Sequence, residues 1–171
     1  MSRPTLPDMP VRAYVGLGGN VGSARDTLRA AIRTFDALPS TRLLRASRLY
    51  RTPAWGREDQ PEFVNAAAAI ETTLAPRALL EALLAIERTH GRERDADGER
   101  WGPRTLDLDL LLYGGDEVDE PGLHVPHPHL HERAFVLVPL LEIAPDLVIP
   151  GRGSARTALA AIGSDGIEAL P

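Results

Sequence analysis

The sequence contains no lysine and no cysteine, and each absence removes a class of chemistry. All 19 basic residues among the 171 are arginines, so no Walker A lysine, lysine Schiff base or lysine general base can operate. Without cysteine there is no disulfide framework, thiolate nucleophile, iron–sulfur cluster or thiolate zinc site. A codon bias toward alanine and arginine also explains both absences. They therefore exclude mechanisms without selecting one, and leave phosphate to arginine, histidine, backbone amides or a metal ion.

Aromatic residues and long apolar runs are also scarce. The aromatic content is 5% and the net charge is −5, which argues against a protein that coats nucleic acid. No apolar run approaches the roughly 18 residues of a membrane span, and the first ten residues lack the apolar region of a signal peptide. We expect a soluble, cytoplasmic protein with a flexible tail over 1–10 and one domain over 11–171, and no nucleic-acid or membrane partner.

The order of predicted elements indicates the fold class. Apolar and β-branched runs predict strands over 11–17, 42–51, 63–72 and 106–113. Helical spacing predicts one helix near 23–38, with a capping-box-like start at Ser23 and Asp26, and another from Pro76 to just before Gly91. This βαββαβ order predicts a ferredoxin-like α+β sandwich with two helices on one face of an antiparallel sheet. The C-terminal extension, with a weak helix over 154–162, would wrap this unit.

Two aspartates in the last predicted strand are the strongest chemical signal. Because side chains alternate along a strand, Asp107 and Asp109 share one face while Leu106, Leu108 and Leu110 point to the other. Two carboxylates this close repel each other unless a cation lies between them, and Mg²⁺ accepts one or two carboxylates together with phosphate oxygens. The alternative is an acidic strand face that merely meets solvent.

The segment before this strand is rich in arginine. Residues 91–104 form a polar loop, and structureless loops beyond about 12 residues are uncommon unless they bind or close over something. Arginine binds phosphate oxygens through two parallel hydrogen bonds. A solvated loop held by its own salt bridges is the alternative. The side chains concerned are Arg92, Arg94, Arg100, Trp101 and Arg104.

Four of the five histidines lie close together, at 124, 127, 129 and 131, with Arg133 just after them. A zinc site is one interpretation of this spacing. A basic strip that meets phosphate is favoured instead, because Pro126 and Pro128 keep the backbone extended and no H-E-x-x-H motif is present. A surface loop without a ligand is the third possibility.

Several segments together resemble the 6-hydroxymethyl-7,8-dihydropterin pyrophosphokinase family, abbreviated HPPK. The most specific block runs from Arg100-Trp101-Gly102-Pro103-Arg104 to Asp107-Leu108-Asp109, and the likeness spans roughly residues 11 to 163. The other matching segments, in order, are Gly16-Leu17-Gly18-Gly19-Asn20, Tyr50-Arg51-Thr52-Pro53, Asp59-Gln60-Pro61, Phe63-Val64-Asn65-Ala66-Ala67, Val125-Pro126-His127, Arg133-Ala134-Phe135 and Leu141-Glu142-Ile143-Ala144-Pro145.

The resemblance implies a monomeric enzyme that transfers pyrophosphate from the co-substrate ATP to the pterin hydroxymethyl group and releases AMP. It implies that Asp107 and Asp109 hold two Mg²⁺ ions and count as catalytic residues together with Arg92, Arg94 and Arg104. The ATP-binding residues it implies are Glu87, Arg92, Arg94, Arg100, Arg104, Leu110, His127 and Arg133. The pterin-binding residues it implies are Thr52, Pro53, Trp55, Phe63, Asn65, Trp101 and Phe135, with the ring between the two phenylalanines.

Three other functions fit parts of the same pattern. A metal-dependent phosphohydrolase would use the same Asp pair but release ADP or phosphate. A non-catalytic module of this fold could bind a metal or nucleotide for regulation. An RNA-binding module would need exposed aromatic residues on its central strands, where this sequence has carboxylates instead.

Overall fold

An antiparallel sheet lies between two layers of helices in the computed structural model, which describes residues 9–20, 23–52, 63–90 and 105–171. In chain order the elements are β1 (Val11–Gly19), α1 (Ala24–Thr34), β2 (Thr41–Ala46), β3 (Tyr50–Thr52), β4 (Phe63–Thr72), α2 (Pro76–Thr89), β5 (Asp107–Tyr113), β6 (Val118–Glu120), β7 (Leu123–Val125), α3 (Ala134–Ile143), β8 (Val148–Ile149), β9 (Gly153–Ser154), α4 (Ala155–Ile162) and β10 (Glu168–Ala169), with 3-10 turns over Phe35–Ala37 and Leu130–Glu132.

The main sheet has the order β10-β3-β4-β1-β5, and β2 pairs with β4 on the same edge as β3. Every pair in it is antiparallel. The single strand predicted over 42–51 is divided, because the chain bulges between β2 and β3. At the bulge, Ser47 donates its backbone N–H to the Ala67 carbonyl at 2.8 Å, and its hydroxyl accepts the Ala67 N–H at 2.9 Å. The serine hydroxyl thus takes the place of a backbone carbonyl as acceptor for Ala67.

Both faces of the sheet are buried, each by a different pair of helices. One core joins β1, β4 and β5 to α1 and α2, with Leu28, Leu79 and Leu83 fully buried. The other joins the opposite face to α3 and α4 through Leu137, Leu140 and Ala155 and their neighbours. A strand covered on both faces is apolar at nearly every position, which explains the unbroken alanine run of β4.

The sequence patterns identify no helix over 134–143, where α3 forms. This segment is apolar on nearly all sides, so it has no 3.6-residue periodicity to detect, and it contains Pro139. Proline removes one donor from a helix interior. Burial of Leu137, Leu140 and Ile143 against the sheet offsets this local cost. Tertiary packing therefore decides the conformation here, which local sequence preferences cannot reveal.

Most of the other predicted elements are confirmed. β4 has the predicted bounds, α2 begins at Pro76, and α1 with its following 3-10 turn covers most of the predicted 23–38 helix. The helix expected over 154–162 is also present as α4. Among the described residues, no helix is both long and apolar enough to cross a membrane.

The two serines at helix starts provide a matched test of capping. The Ser154 hydroxyl accepts the Thr157 N–H at 3.2 Å, whereas the Ser23 hydroxyl donates to the Asp26 carboxylate at 2.7 Å. Ser154→Ala should lower the free energy of unfolding by about 1 kcal/mol, because a helix N–H loses its cap. Ser23→Ala should cost less than about 0.5 kcal/mol. Urea denaturation measures both, and equal losses would contradict this assignment.

Candidate active site

The glycines of β1 separate two groups of polar side chains on one sheet face. Gly18 pairs with Asp107 on one side and Asn65 on the other, and Gly16 pairs with Asp109 and Ala67. Directly paired residues project to the same face, so the acidic pair and the Asn65 amide share a face with no β1 side chain between them. Their strands lie two spacings apart, which is about 10 Å.

The acidic pair alternates with buried leucines as predicted. Asp107 and Asp109 are half-buried, while Leu106, Leu108 and Leu110 are at most 5% exposed. The three leucines belong to the core under α1 and α2, so the carboxylates project to the face that α3 and α4 cover further along the sheet. The strand therefore presents two carboxylates at one end of that face.

The Asn65 side chain is held in a fixed orientation. It is 9% exposed, and its Oδ1 accepts a hydrogen bond from the Thr52 hydroxyl at 3.3 Å. Its Nδ2 lies over Gly18, where an added Cβ would approach it to 2.8 Å. Phe63 pairs with Thr52 in register and precedes Asn65 by two residues, so it lies on the same face. An amide and an aromatic ring thus stand side by side.

His127 lies beside the acidic pair, in surroundings that favour its neutral form. Its backbone N–H donates to the Leu111 carbonyl at 3.0 Å, and its Nδ1 accepts the His129 N–H at 3.2 Å. The second bond requires the tautomer with its proton on Nε2. Burial lowers the pKa of His127, with Arg133 and His129 acting in the same direction and the Asp109 charge opposing them. The ring therefore offers a neutral N–H donor near Asp109.

Arg133 and Phe135 lie together at the start of α3. The Arg133 guanidinium carbon is 5.9 Å from the centre of the Phe135 ring, within the range of a cation–π interaction. Both side chains are partly exposed. α3 packs against the sheet face that carries the acidic pair and Asn65, so a cation and an aromatic ring border the site from above.

A hydrogen-bonded cluster that the sequence analysis missed fastens α3 to the sheet. Tyr50 pairs with Asn65 in register, and its hydroxyl donates to the Glu142 carboxylate. The Arg48 N–H also donates to Glu142, at 3.2 Å. Burial raises the pKa of Tyr50, and the bond to Glu142 raises it further. The partners are 92 positions apart, so no local pattern could have revealed them.

Some residues assigned from the resemblance lie elsewhere. Glu87 is 3% exposed and packs between α2 and β5, while Leu110 belongs to the core on the face opposite the acidic pair. Others lie outside the described residues: Pro53, Trp55, Arg92, Arg94, Arg100, Trp101 and Arg104. The described residues brought to the site are Thr52, Phe63, Asn65, Asp107, Asp109, His127, Arg133 and Phe135.

The acidic pair fits Mg²⁺ by the chemistry of its donors. Mg²⁺ binds through one or two carboxylates and completes its octahedral shell with water and phosphate oxygens. Asp107 and Asp109 supply two carboxylates on one face, and their β1 partners, Gly18 and Gly16, add no side chain there. Within the described ranges, no group of three or more acidic or histidine side chains could hold a metal ion. A cation held by these two carboxylates would complete its shell with oxygens from water or from a bound phosphate.

Sequence comparisons give a consistent result. The family model of 7,8-dihydro-6-hydroxymethylpterin-pyrophosphokinase (HPPK) matches residues 14–145. The chain is 51% identical to a 2-amino-4-hydroxy-6-hydroxymethyldihydropteridine pyrophosphokinase of Pseudomonas aeruginosa, over 94% of this chain and 97% of that protein. It is 50% identical to the protein of the same name from Methylorubrum extorquens, over 92% of this chain and 97% of that one.

Solved structures agree at the level of fold. The wild-type HPPK-DHPS of Plasmodium falciparum aligns with a TM-score of 0.67 over 89% of this chain, at 12% identity. The chain spans only 41% of that longer protein. At this identity the likeness concerns the arrangement of helices and strands alone.

The electrostatic surroundings of His127 predict how its pKa responds to substitution. Asp109→Asn should lower it further, because the Asp109 charge is the one contribution that raises it. Arg133→Gln should raise it, since a repelling positive charge is removed. NMR titration of the imidazole measures both. Asp119→Asn, which removes a partner of His124, is the control and should leave His127 unchanged.

The same lowered pKa sets the sign of the effect on stability. Because folding lowers the pKa of His127, the neutral ring adds to the free energy of unfolding at every pH above the ordinary histidine pKa of about 6.5. This contribution is lost as the pH falls from 6.5 through the lowered pKa of the folded protein.

For the substitutions, a rise in the pKa of His127 in Asp109→Asn would contradict the assignment.

Proposed function

The chain belongs to the 7,8-dihydro-6-hydroxymethylpterin-pyrophosphokinase family, and on that premise we propose that it transfers pyrophosphate from ATP to 6-hydroxymethyl-7,8-dihydropterin. AMP is the second product, and the reaction is a step of folate biosynthesis. The observation that carries the proposal is the shared sheet face, on which the Asp107–Asp109 pair and the Asn65 amide flank two glycines of β1. The side with the two aspartates suits metal-bound phosphates, and the side with the Asn65 amide suits a flat polar ring.

We assign residues 11–171 to one pyrophosphokinase domain with a ferredoxin-like core. The order β5-β1-β4 followed by β2 and β3, with α1 and α2 on one face, supports this assignment. α3 and α4 extend it by covering the second face. Since each face is covered by the chain's own helices, a monomer satisfies the fold. ATP as donor favours a cytoplasmic location.

The pterin would bind at the Asn65 side. An amide offers the adjacent donor and acceptor that the edge of a pterin requires, and the fixed Thr52–Asn65 hydrogen bond supports a preformed orientation. Phe63 on the sheet and Phe135 on α3 would stack on the two faces of the ring, as offset aromatic contacts favour. Pro53, Trp55 and Trp101, which lie outside the described residues, would contribute to the same pocket.

The triphosphate would bind at the acidic side. Asp107 and Asp109 would hold two Mg²⁺ ions, which neutralise the phosphates and stabilise the charge that develops during transfer. His127 would donate a hydrogen bond from its Nε2–H to a phosphate oxygen. The Arg133 guanidinium would bind the same triphosphate. Arg92, Arg94, Arg100 and Arg104, which lie outside the described residues, would contribute further charge.

The reaction itself is an in-line displacement at the β-phosphorus. The pterin hydroxyl oxygen forms the new P–O bond, the bond between the α- and β-phosphates breaks, AMP leaves, and the hydroxyl proton passes to solvent. Such a transfer depends on positioning and charge neutralisation more than on covalent help from the protein. That matches a site with two rings, an amide, two carboxylates and a neutral imidazole.

Product analysis separates this function from a phosphohydrolase. With Mg²⁺ and ATP, the protein should form AMP only when 6-hydroxymethyl-7,8-dihydropterin is present, whereas a phosphohydrolase would release ADP or phosphate without it. Asp109→Ala should lower turnover by about 10³-fold, because a metal ligand worth several kcal/mol is removed. Chromatographic separation of nucleotides measures both.

An exposed carboxylate provides the control for this variant. Asp165→Ala removes an exposed aspartate of the C-terminal segment and should leave turnover unchanged. AMP formation without the pterin, or an undiminished rate in Asp109→Ala, would refute the proposal.

The close approach of Gly18 to Asn65 predicts a selective defect in pterin binding. In Gly18→Ala the new Cβ would displace the Asn65 amide, which it meets at 2.8 Å. We expect the pterin Kd to rise by about tenfold, since one oriented polar contact is worth about 1–1.5 kcal/mol. Gly115→Ala is the matched control, because a Cβ there meets nothing within 4 Å. Calorimetry with the pterin measures both, and equal affinities would contradict the proposed orientation.

A further inference from the structure

A side chain of α2 binds the strand that carries the acidic pair at the edge away from β1. β5 is the last strand on its side of the described sheet. The Leu108 N–H, between the two aspartates, donates to Glu87 Oε2 at 2.6 Å. Donors alternate between the two edges of an antiparallel strand, so the N–H groups of Asp107 and Asp109 face β1 while that of Leu108 faces outward. The strand is thus held on one edge by β1, while Glu87 binds the outward-facing N–H between the two aspartates and the His127 N–H binds the Leu111 carbonyl further along.

Glu87 is buried in the core where it makes this contact. It is the one acidic side chain among the buried residues of α2, which are Leu79, Leu83, Ile86 and Glu87. A buried carboxylate is costly unless hydrogen bonds compensate. A bond from a backbone N–H to a carboxylate is stronger than one between neutral groups. An apolar residue would fit this face of α2 but would leave the buried Leu108 donor unsatisfied.

We propose that Glu87 is a positioning residue for the divalent cation site. By fixing the Leu108 peptide, it fixes the two Cα–Cβ directions on either side and therefore the spacing of the Asp107 and Asp109 carboxylates. This inference rests on the proposed function in taking those carboxylates as the cation ligands. Glu87 would then orient the residues that bind the cation rather than contact ATP directly, consistent with its 3% exposure.

Three substitutions separate the hydrogen bond from the charge. Glu87→Gln keeps an acceptor oxygen at the same reach and loses the charge. Glu87→Asp keeps the charge but is one methylene short, and Glu87→Ala removes both. Glu81→Ala, an exposed glutamate on the same helix, is the matched control. If Glu87→Ala does not fold, the contrast between the Asp and Gln variants decides the question.

Two measurements test the proposal, and the first does not depend on turnover. Hydrogen exchange at the Leu108 amide should accelerate at least tenfold in Glu87→Asp and Glu87→Ala, because the donor loses its acceptor. The Mg²⁺ concentration for half-maximal AMP formation should rise about 10- to 100-fold in the same variants, the usual effect of losing a residue that orients metal ligands. Glu87→Gln should restore both values to within about threefold of the parent, and Glu81→Ala should match the parent.

Each contrary result overturns the inference. Lower thermal stability with an unchanged Mg²⁺ requirement would make Glu87 only a structural residue. Equal damage from the Gln and Ala variants would show that the site requires the charge of Glu87 and that an acceptor at its position is not sufficient. Weaker binding of metal-free ATP would indicate a nucleotide contact. If the parent protein forms no AMP, the proposed function fails instead, and Mn²⁺ binding by electron paramagnetic resonance, with the exchange rates, still tests the role of Glu87.

Discussion

The site depends on the pairing of β1 with both of its neighbours at Gly16 and Gly18. A Cβ at Gly16 would approach the Leu111 side chain to 3.3 Å, and one at Gly18 would approach the Asn65 amide to 2.8 Å. Neither position accepts a side chain without displacing a neighbour. Because β1 contributes only backbone here, the acidic strand and the amide strand flank a shared strip of glycine backbone. The glycines, which carry no reactive group, thereby define where two substrates could meet.

Burial of the sheet on both faces keeps this strip in a fixed shape. The leucines that alternate with the acidic pair lie in the core under α1 and α2, so the carboxylates are supported from beneath. On their own face, Glu142 joins α3 to Tyr50 and to the Arg48 backbone. Tyr50 pairs with Asn65 in register. The helix α3, which carries Phe135, is therefore bound to the strand next to the one that carries the Asn65 amide. The two aromatic surfaces of the proposed pocket therefore have a common anchor.

The sequence predicts local patterns well and contacts between distant segments poorly. Alternation places Asp107 and Asp109 on one face, and helical spacing with Pro76 locates α2, because both signals lie within a few neighbouring residues. α3 has no periodicity, and the Tyr50–Glu142 contact joins residues 92 positions apart, so neither has a local signature. Glu87 is intermediate: its position four residues after Leu83 on the apolar face of α2 already indicates burial, but only the fold supplies its partner, the Leu108 N–H.

The absence of lysine gains a more specific meaning from these contacts. Arg133, the cation assigned to the triphosphate, lies over the ring of Phe135 at cation–π distance, and Phe135 is assigned to the pterin. A guanidinium is planar and weakly hydrated, so it can stack on an aromatic face and still offer hydrogen bonds at its edge, whereas an ammonium group cannot do both as well. At the junction of the two proposed substrates, arginine is therefore the better cation on physical grounds, whatever compositional bias brought it there.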